Sequence, residues 1–355
     1  MRLEGQKTTV ISDVSPEMMD ELLGVKVVEC GDVDDKLTQL FEYFHGEYAR
    51  FMAGTPRAYE LDDPKSIIPI LFIFDRISNT QEALRAMAGI FREGSIKIPE
   101  LSTVMAVTQT NGIGFRGRKW SSGVKGNLHA SVFSNILSTM NVIDFNTIDQ
   151  KVNENVSLML PMIVPKLLAD SLKALLGKSE IFGREDGLII RPWNDIMLEM
   201  RKKLAGVLIQ SAVIGIGVNF RDVPVDEDFE SDGITSQTAS IDEIVRKFAI
   251  ENNINPYMLL KEFCERFKKF VDELSECKND ATAVSKLLRR AFKEYKAYFH
   301  GALNGKEVEL YNPRHSHVLA RGTYSDVERF PIPAIRITTS SGEKTVNDVG
   351  GIKII

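Results

Sequence analysis

A chain of 355 residues has room for two domains of about 150 residues and a shorter appendage. Its 44 basic and 49 acidic side chains leave a formal charge of −5, which excludes a protein that blankets nucleic-acid phosphates with a general positive field. Apolar residues at 43% exclude intrinsic disorder, and three cysteines (Cys30, Cys264, Cys277) with no CxxC spacing argue against a disulfide framework or a thiolate zinc site. A reducing compartment follows. No apolar signal core opens the sequence, and the longest charge-free run, Gly126 to Ile143, is interrupted by Asn, Ser, Thr and His. The expectation is a cytoplasmic protein without a membrane span.

Taken in order, Thr8–Ser12 and Val25–Cys30 read as short strands around a helix capped by Ser15, with Pro16 at its first position. Lys36 to Met52 reads as a further helix, and Gly54–Pro64 as a boundary. Ile67–Phe74 is an apolar run suited to a buried strand, followed by a helix from Thr80 to Phe91. Thr103–Thr108 and Leu128–Phe133 are further strands. Leu158–Leu176 reads as a helix whose start is bent or delayed by Pro161 and Pro165. Gly187–Ile190, Ala205–Ile209 and Val213–Val218 supply more strands. Ser240 with Glu243 forms a capping box, and Leu259, Leu260, Phe263, Phe267, Phe270, Val271 and Leu274 form a core-facing stripe on the next helix. After the Asn304-Gly305 turn, alternation at Val308, Leu310, Ile335, Ile337, Ile352 and Ile354 predicts a small all-β unit. The domain expectation is an N-terminal extension over 1–62, a main body over 63–300 and the β unit over 301–355.

Three segments carry chemistry. The loop Gln109-Thr110-Asn111-Gly112-Ile113-Gly114-Phe115-Arg116-Gly117-Arg118-Lys119-Trp120 matches GxGxxG, yet Ser121-Ser122-Gly123 follows where a dinucleotide fold opens a helix. What remains is a glycine loop with three cations and an aromatic, suited either to a phosphate and a flat ring or to a solvated basic turn. The second segment is Arg191-Pro192-Trp193-Asn194-Asp195, followed by Lys202-Lys203-Leu204-Ala205-Gly206-Val207-Leu208. A lysine entering an apolar strand needs an anionic partner, such as a substrate carboxylate or phosphate, or must snorkel to solvent. The third, Val213-Ile214-Gly215-Ile216-Gly217-Val218-Asn219-Phe220, is a strand with two glycines, a mark of close approach by ligand or backbone. His129 reads equally as a pocket-lining or a core histidine. His315-Ser316-His317 alternates like metal ligands but reads as a surface turn.

In this order, Ser78-Asn79-Thr80-Gln81, the glycine loop with Trp120, Lys125-Gly126-Asn127-Leu128, the WND segment, KLAG and GIGxN resemble biotin–protein ligases. The resemblance covers about Phe74 to Phe220 and, more loosely, the tail ending Gly350-Gly351-Ile352-Lys353. It implies an α+β fold: a class II synthetase/biotin–lipoate ligase-like catalytic domain with a mixed, mainly antiparallel sheet, plus a small C-terminal SH3-like β-barrel. It implies ATP, biotin and Mg²⁺ as cofactors, and a biotin carboxyl carrier domain of a carboxylase as protein partner, with no DNA and no membrane involved, in a monomer or homodimer. Biotin's carboxylate would attack the α-phosphate of ATP, and a carrier lysine would then take the biotinyl group.

Carried over by motif, Lys203 touches the biotin carboxylate and the α-phosphate, and Arg116 and Arg118 hold phosphate. Asp195 orients either Mg²⁺ or the incoming lysine. Ser78, Thr80 and Gln109 bond biotin, Gly112, Gly206, Gly215 and Gly217 admit it closely, and Leu208 with Val218 walls its ring. Gly114 belongs to the same cofactor-binding set. Trp120 packs on adenine, and Asn194 and Asn219 serve the nucleotide. No residue set is nominated as a protein metal site. The family's loop reads GRGRxGR, whereas Ile113 and Phe115 replace its first two arginines, which implies a weaker hold on the adenylate or a substitute role for Arg116. The alternatives are a lipoate or short-acyl ligase of the same fold and a biotin-binding regulator without catalysis.

Overall fold

The computed structural model describes residues 8–29, 57–93, 98–114, 120, 122, 125–134, 150–191, 195–200, 202–210, 212–221, 237–251, 253–277, 279–312, 317–328, 334–347, 349 and 351–355. In chain order the elements begin β1 (Thr8–Ser12), α1 (Pro16–Leu23), β2 (Val27–Glu29), β3 (Arg57–Leu61), β4 (Ile70–Ile77), α2 (Thr80–Glu93), β5 (Thr103–Gln109) and β6 (Leu128–Phe133). They continue with α3 (Gln150–Leu176), β7 (Leu188–Arg191), β8 (Asp195–Leu198), β9 (Lys202–Gln210), β10 (Val213–Val218), β11 (Gln237–Thr238) and α4 (Ile241–Lys247). The last are α5 (Pro256–Cys277), α6 (Ala281–Lys296), α7 (His300–Leu303), β12 (Glu307–Tyr311), β13 (Val318–Glu328), β14 (Ala334–Thr339), β15 (Gly342–Asn347) and β16 (Gly351–Ile354). Two compact units emerge: Met1–Asn141 with Ile209–Arg221 and Asn253–Lys268, and Val142–Leu208 with Asp222–Asn252 and Lys269–Ile355. Among the described residues no helix is long and apolar enough to cross a membrane.

The first unit is built on a mixed sheet in the order β2-β3-β1-β4-β5-β6-β10. Only the β1–β4 and β4–β5 ladders in that order are parallel. This explains the apolar run Ile70–Phe74 of β4, which is flanked by parallel neighbours and buried on both faces. Helix α2 packs on β5, β6 and β10, and Phe72, Phe74, Leu84, Met87, Val104 and Phe133 form the core there. Each fully buried phenylalanine stabilises by roughly 2–3 kcal/mol.

Residues of the N-terminal segment belong to this same sheet. The stretch read as a boundary, 54–64, contains β3, which pairs residue for residue with β1. Ser15 caps α1 by accepting the Met18 N–H, and Gly24, at φ 65°, closes it by donating to Asp20 O. Asn255 donates from Nδ2 to Leu23 O, while the half-buried Lys261 and the buried Tyr257 both reach the Asp63 carboxylate, at 2.7 and 3.1 Å. These bonds hold Asp63 below the usual carboxylate range although burial opposes them. The helix expected at Lys36–Met52 lies outside the described residues.

In the second unit α3 starts eight residues before the expected Leu158 and carries Pro161 and Pro165 inside it. Each proline removes an intrahelical N–H, so local propensity argues for a late start. Burial of Met159, Leu160, Met162, Ile163, Val164, Leu167, Leu168 and Leu172 outweighs that local loss. Helix α6 packs along α3, with Lys166 bridging Asp170 and Glu294. Strands β7, β8 and β9 form an antiparallel set, and β11 lies parallel to β9. The Ser240 cap is formed: Ser240 Oγ accepts the Glu243 N–H at 3.0 Å, while Glu243 Oε1 bonds Lys202.

The C-terminal residues form an antiparallel sheet in the order β15-β14-β13-β12-β16. The small C-terminal β unit expected is thus present, and among the described residues its ladders make an open path and not a closed barrel. Closure requires both terminal strands to pair. Strand β15 instead shows an exposed Gly-Glu-Lys-Thr edge, the charged pattern that keeps an unpaired edge in solvent.

Candidate functional site

Two groups of the singled-out residues are brought together, one in each unit. In the first, the Ser78-Asn79-Thr80-Gln81 segment opens α2. Asn79, passed over by the sequence reading, is its cap, accepting the Gln81 and Glu82 N–H groups at 2.8 and 3.3 Å. Its Nδ2 donates to Asn111 O at 3.1 Å, tying the helix start to the glycine loop. Ser78 accepts the Asn111 N–H through its backbone carbonyl at 2.9 Å. Gln109 Oε1 accepts both the backbone N–H of Thr80 (2.9 Å) and its hydroxyl (3.3 Å). With its one proton committed there, Thr80 Oγ1 accepts from Ser131 Oγ at 2.9 Å. Gln109 Nε2 donates to Ser122 Oγ at 3.3 Å. Ser131 and Ser122 were not foreseen. Neither carries a local signal, since a serine in a strand or loop is ordinary.

The register of β6 against β10 pairs Ser131 with Gly215 and His129 with Gly217, so all four point to one face. Two absent side chains leave space there beside two polar ones. Over Gly217 that space holds Trp120. A Cβ on Gly217 would come within 2.5 Å of the indole carbons Cε2 and Cζ2. Gly112 is equally constrained: its carbonyl accepts the Trp120 N–H at 2.8 Å, and a Cβ would meet Trp120 O at 2.6 Å. Trp120 donates from Nε1 to His129 Nδ1 at 3.3 Å.

His129 is 1% exposed, and burial lowers its pKa from 6.5 to about 4, so the ring is neutral at physiological pH. Accepting on Nδ1 places its proton on Nε2, which is buried without a partner among the described residues. An unmet buried donor costs about 1–3 kcal/mol. The two readings of His129 thus resolve to a buried residue that touches the Trp120 end of the glycine loop. Asn127 Oδ1 accepts the Phe220 and Arg221 N–H groups, both at 2.8 Å, and so anchors the chain just after the buried Asn219. The polar groups of this face are uncharged and include donors and acceptors, which suits a neutral hydrogen-bonding ring.

In the second unit the sequence places Asp195 on β8 and Lys203 on β9. The ladder runs Asp195↔Gly206 and Ile196↔Ala205, then slips at Ile196/Met197 so that Met197 faces Lys203. This bulge absorbs Leu204. Without it Lys203 would point away from Asp195, because side chains alternate along a strand. With it, Lys203 Nζ lies 3.0 Å from Asp195 Oδ1. Arg191, directly opposite Asp195 on β7, puts Nη2 3.0 Å from Asp195 Oδ2. The Asp195 and Arg191 side chains are 3% and 4% exposed and Lys203 14%. The anion that a strand lysine requires is therefore Asp195, a carboxylate that Lys203 shares with Arg191. Arg191 was read as part of a motif and not as a site residue; its role depends on cross-strand pairing. Lys202 points to the other face and bonds Glu243 at 2.6 Å, which raises its pKa.

Gly114 is buried, Gly206 and Gly215 are half-buried, and Leu208 and Val218 are buried in β9 and β10. Arg116, Arg118, Asn194, Phe115, Lys119 and Trp193 lie outside the described residues, as does His315. Among the described residues no group of three or more His, Cys, Asp or Glu side chains could hold a metal ion. Cys264 is buried with its thiol pushed up by desolvation, which suits a core residue and not a nucleophile.

No protein-family model matches the sequence, and no curated protein does. Solved structures do match. The biotin protein ligase from Aquifex aeolicus in complex with biotin and ATP aligns with a TM-score of 0.54 at 18% identity, covering 80% of this chain and 99% of that one. A mutant of the same ligase in complex with biotin gives 0.52 at 18% identity, over 80% and 97% of the two chains. Another crystal structure of that ligase gives 0.51 at 15% identity, over 81% and 99%. The chain therefore has a biotin protein ligase-like α+β fold.

Proposed function

We propose that this protein is an ATP-dependent biotin–protein ligase that activates biotin to biotinyl-5′-AMP and transfers it to a lysine of a carboxylase carrier domain. The observation that carries the reading is Lys203. A strand bulge turns it to the face of Asp195 and Arg191, in the KLAG segment of a chain with this fold. In the first step a biotin carboxylate oxygen attacks the α-phosphorus of ATP, and pyrophosphate leaves. Two anions must approach each other, so fixed positive charge lowers the barrier. Lys203 supplies it by exchanging its contact with Asp195 for the substrate oxygens, while Arg191 keeps the Asp195 carboxylate compensated. On the first unit, the neutral face of Thr80, Gln109 and Ser131 offers the donors and acceptors that a ureido ring requires. Mg²⁺, which arrives with the nucleotide, screens the triphosphate. In the second step the carrier amine attacks the acyl carbon and AMP leaves.

The test is ATP–pyrophosphate exchange with biotin, lipoate and octanoate in parallel, with and without a carrier domain. Exchange is expected with biotin, and Lys203→Ala should lower it by about 10²–10³-fold while leaving the circular dichroism spectrum intact. Exchange with lipoate or octanoate alone, or normal carrier labelling by Lys203→Ala, would refute the assignment. Tight biotin binding with no exchange would favour a non-catalytic binder, the reading that Ile113 and Phe115 motivate.

A further inference from the structure

We propose that His129 is a positioning residue that fixes the Trp120 indole against the Gly217 backbone, so that this ring is held in place for a flat ligand ring. The inference rests on the preceding reading only for the identity of that ligand. Two independent contacts define the seat. Gly217 provides the floor, because any Cβ there would stand 2.5 Å from the ring. His129, paired with Gly217 across the β6–β10 ladder, provides the wall, taking the indole N–H on Nδ1. A floor alone leaves the ring free to rotate in its plane; a directional bond at Nε1 removes that freedom. Trp120 keeps partial exposure, while the histidine beneath it is buried. A strand position that needed only to fill the core would carry an apolar side chain. A buried imidazole whose Nε2 meets no partner among the described residues points instead to a use for Nδ1.

Gly112 and Trp120 are pinned together by the Trp120 N–H bond to Gly112 O, so the indole seat also bears on Gly112. Residues that hold Trp120 therefore act on ligand affinity.

Trp120 and Trp193 are the two tryptophans of the chain, so a Trp193→Phe background makes Trp120 the single fluorophore. Three substitutions separate the readings. His129→Phe keeps a buried ring and removes the acceptor. His129→Asn keeps an acceptor near the place of Nδ1, and His129→Gln puts its polar group near the place of Nε2. The expected result is a red-shifted Trp120 emission and about twofold or greater acrylamide quenching in His129→Phe and His129→Gln, with His129→Asn close to the parent, as loss of one hydrogen bond implies. In biotin-dependent exchange the first two should raise KM about tenfold with kcat within about threefold. Unchanged emission and quenching in His129→Phe, equal rescue by Gln and Asn, or a fall in kcat alone would overturn the proposal. Fluorescence needs no activity, so a seated Trp120 in a protein that fails to exchange with biotin would sink the ligase reading and leave the seat standing.

Discussion

Asp195→Asn is the sharpest test of the charge arrangement on β7, β8 and β9. The substitution keeps shape and hydrogen-bonding capacity but removes the carboxylate that Arg191 and Lys203 share. Both oxygens are engaged at 3.0 Å, and the Asp195 side chain is 3% exposed. Little solvent is available to replace the lost charge. Breaking a buried pair by neutralising one partner costs about 3–5 kcal/mol, because the remaining charges lose the carboxylate that faces them. Lys203→Met should cost less, roughly 1–3 kcal/mol, since Asp195 retains its Arg191 bond and Lys203 is the more exposed cation. The assay is urea unfolding at pH 7 followed by circular dichroism, comparing midpoints at constant m. The reasoning predicts the order Asp195→Asn, then Lys203→Met, then parent. It fails if Asp195→Asn lies within about 1 kcal/mol of the parent, or if Lys203→Met is the more damaging of the two.

Three further expectations are independent of it. Gly217→Ala puts a methyl 2.5 Å from the indole and should displace Trp120 at a cost of about 1–3 kcal/mol, read as a lower melting temperature and altered Trp120 emission; an unchanged emission spectrum would count against the seat. The His129 pKa, lowered from 6.5 to about 4 by burial, means that the unfolded chain binds a proton there in a range where the folded chain does not. That stability is fully present above pH 6.5 and is lost as pH falls toward 4; it amounts to about 3 kcal/mol. His129→Asn should flatten this slope, and equal slopes for both proteins would contradict it. Deleting residues 1–62 strips β1 from its parallel ladder with Ile70–Ile73, exposing an apolar strand edge. The fragment is expected to aggregate in size-exclusion chromatography. A monomeric, cooperatively melting fragment would show that the N-terminal strands are dispensable.

How far the sequence reaches is visible in particular elements. The Ser15 cap, Pro16, the Ser240 cap, the β1, β6 and β10 spans and the α5 stripe are all local signals, and the structure shows each where it was read. They succeed because caps act within one turn and alternation acts within one strand. Strand β8 escaped notice because four residues offer no periodicity to count. Helix α3 begins earlier than its prolines suggest because burial of its apolar surface outweighs two missing hydrogen bonds. At the candidate site the sequence determined which residue types are present: an amide and hydroxyls at Gln109, Ser78 and Thr80, glycines at 215 and 217, and a lysine entering an apolar strand. Only the tertiary structure decided what they touch. The bulge that turns Lys203 toward Asp195, the pairing that brings Arg191 to the same carboxylate, the placement of Trp120 on Gly217 and His129, and the insertion of β1 beside β4 all depend on strand register. Register is set by partners distant along the chain, and a one-residue slip reverses every side chain.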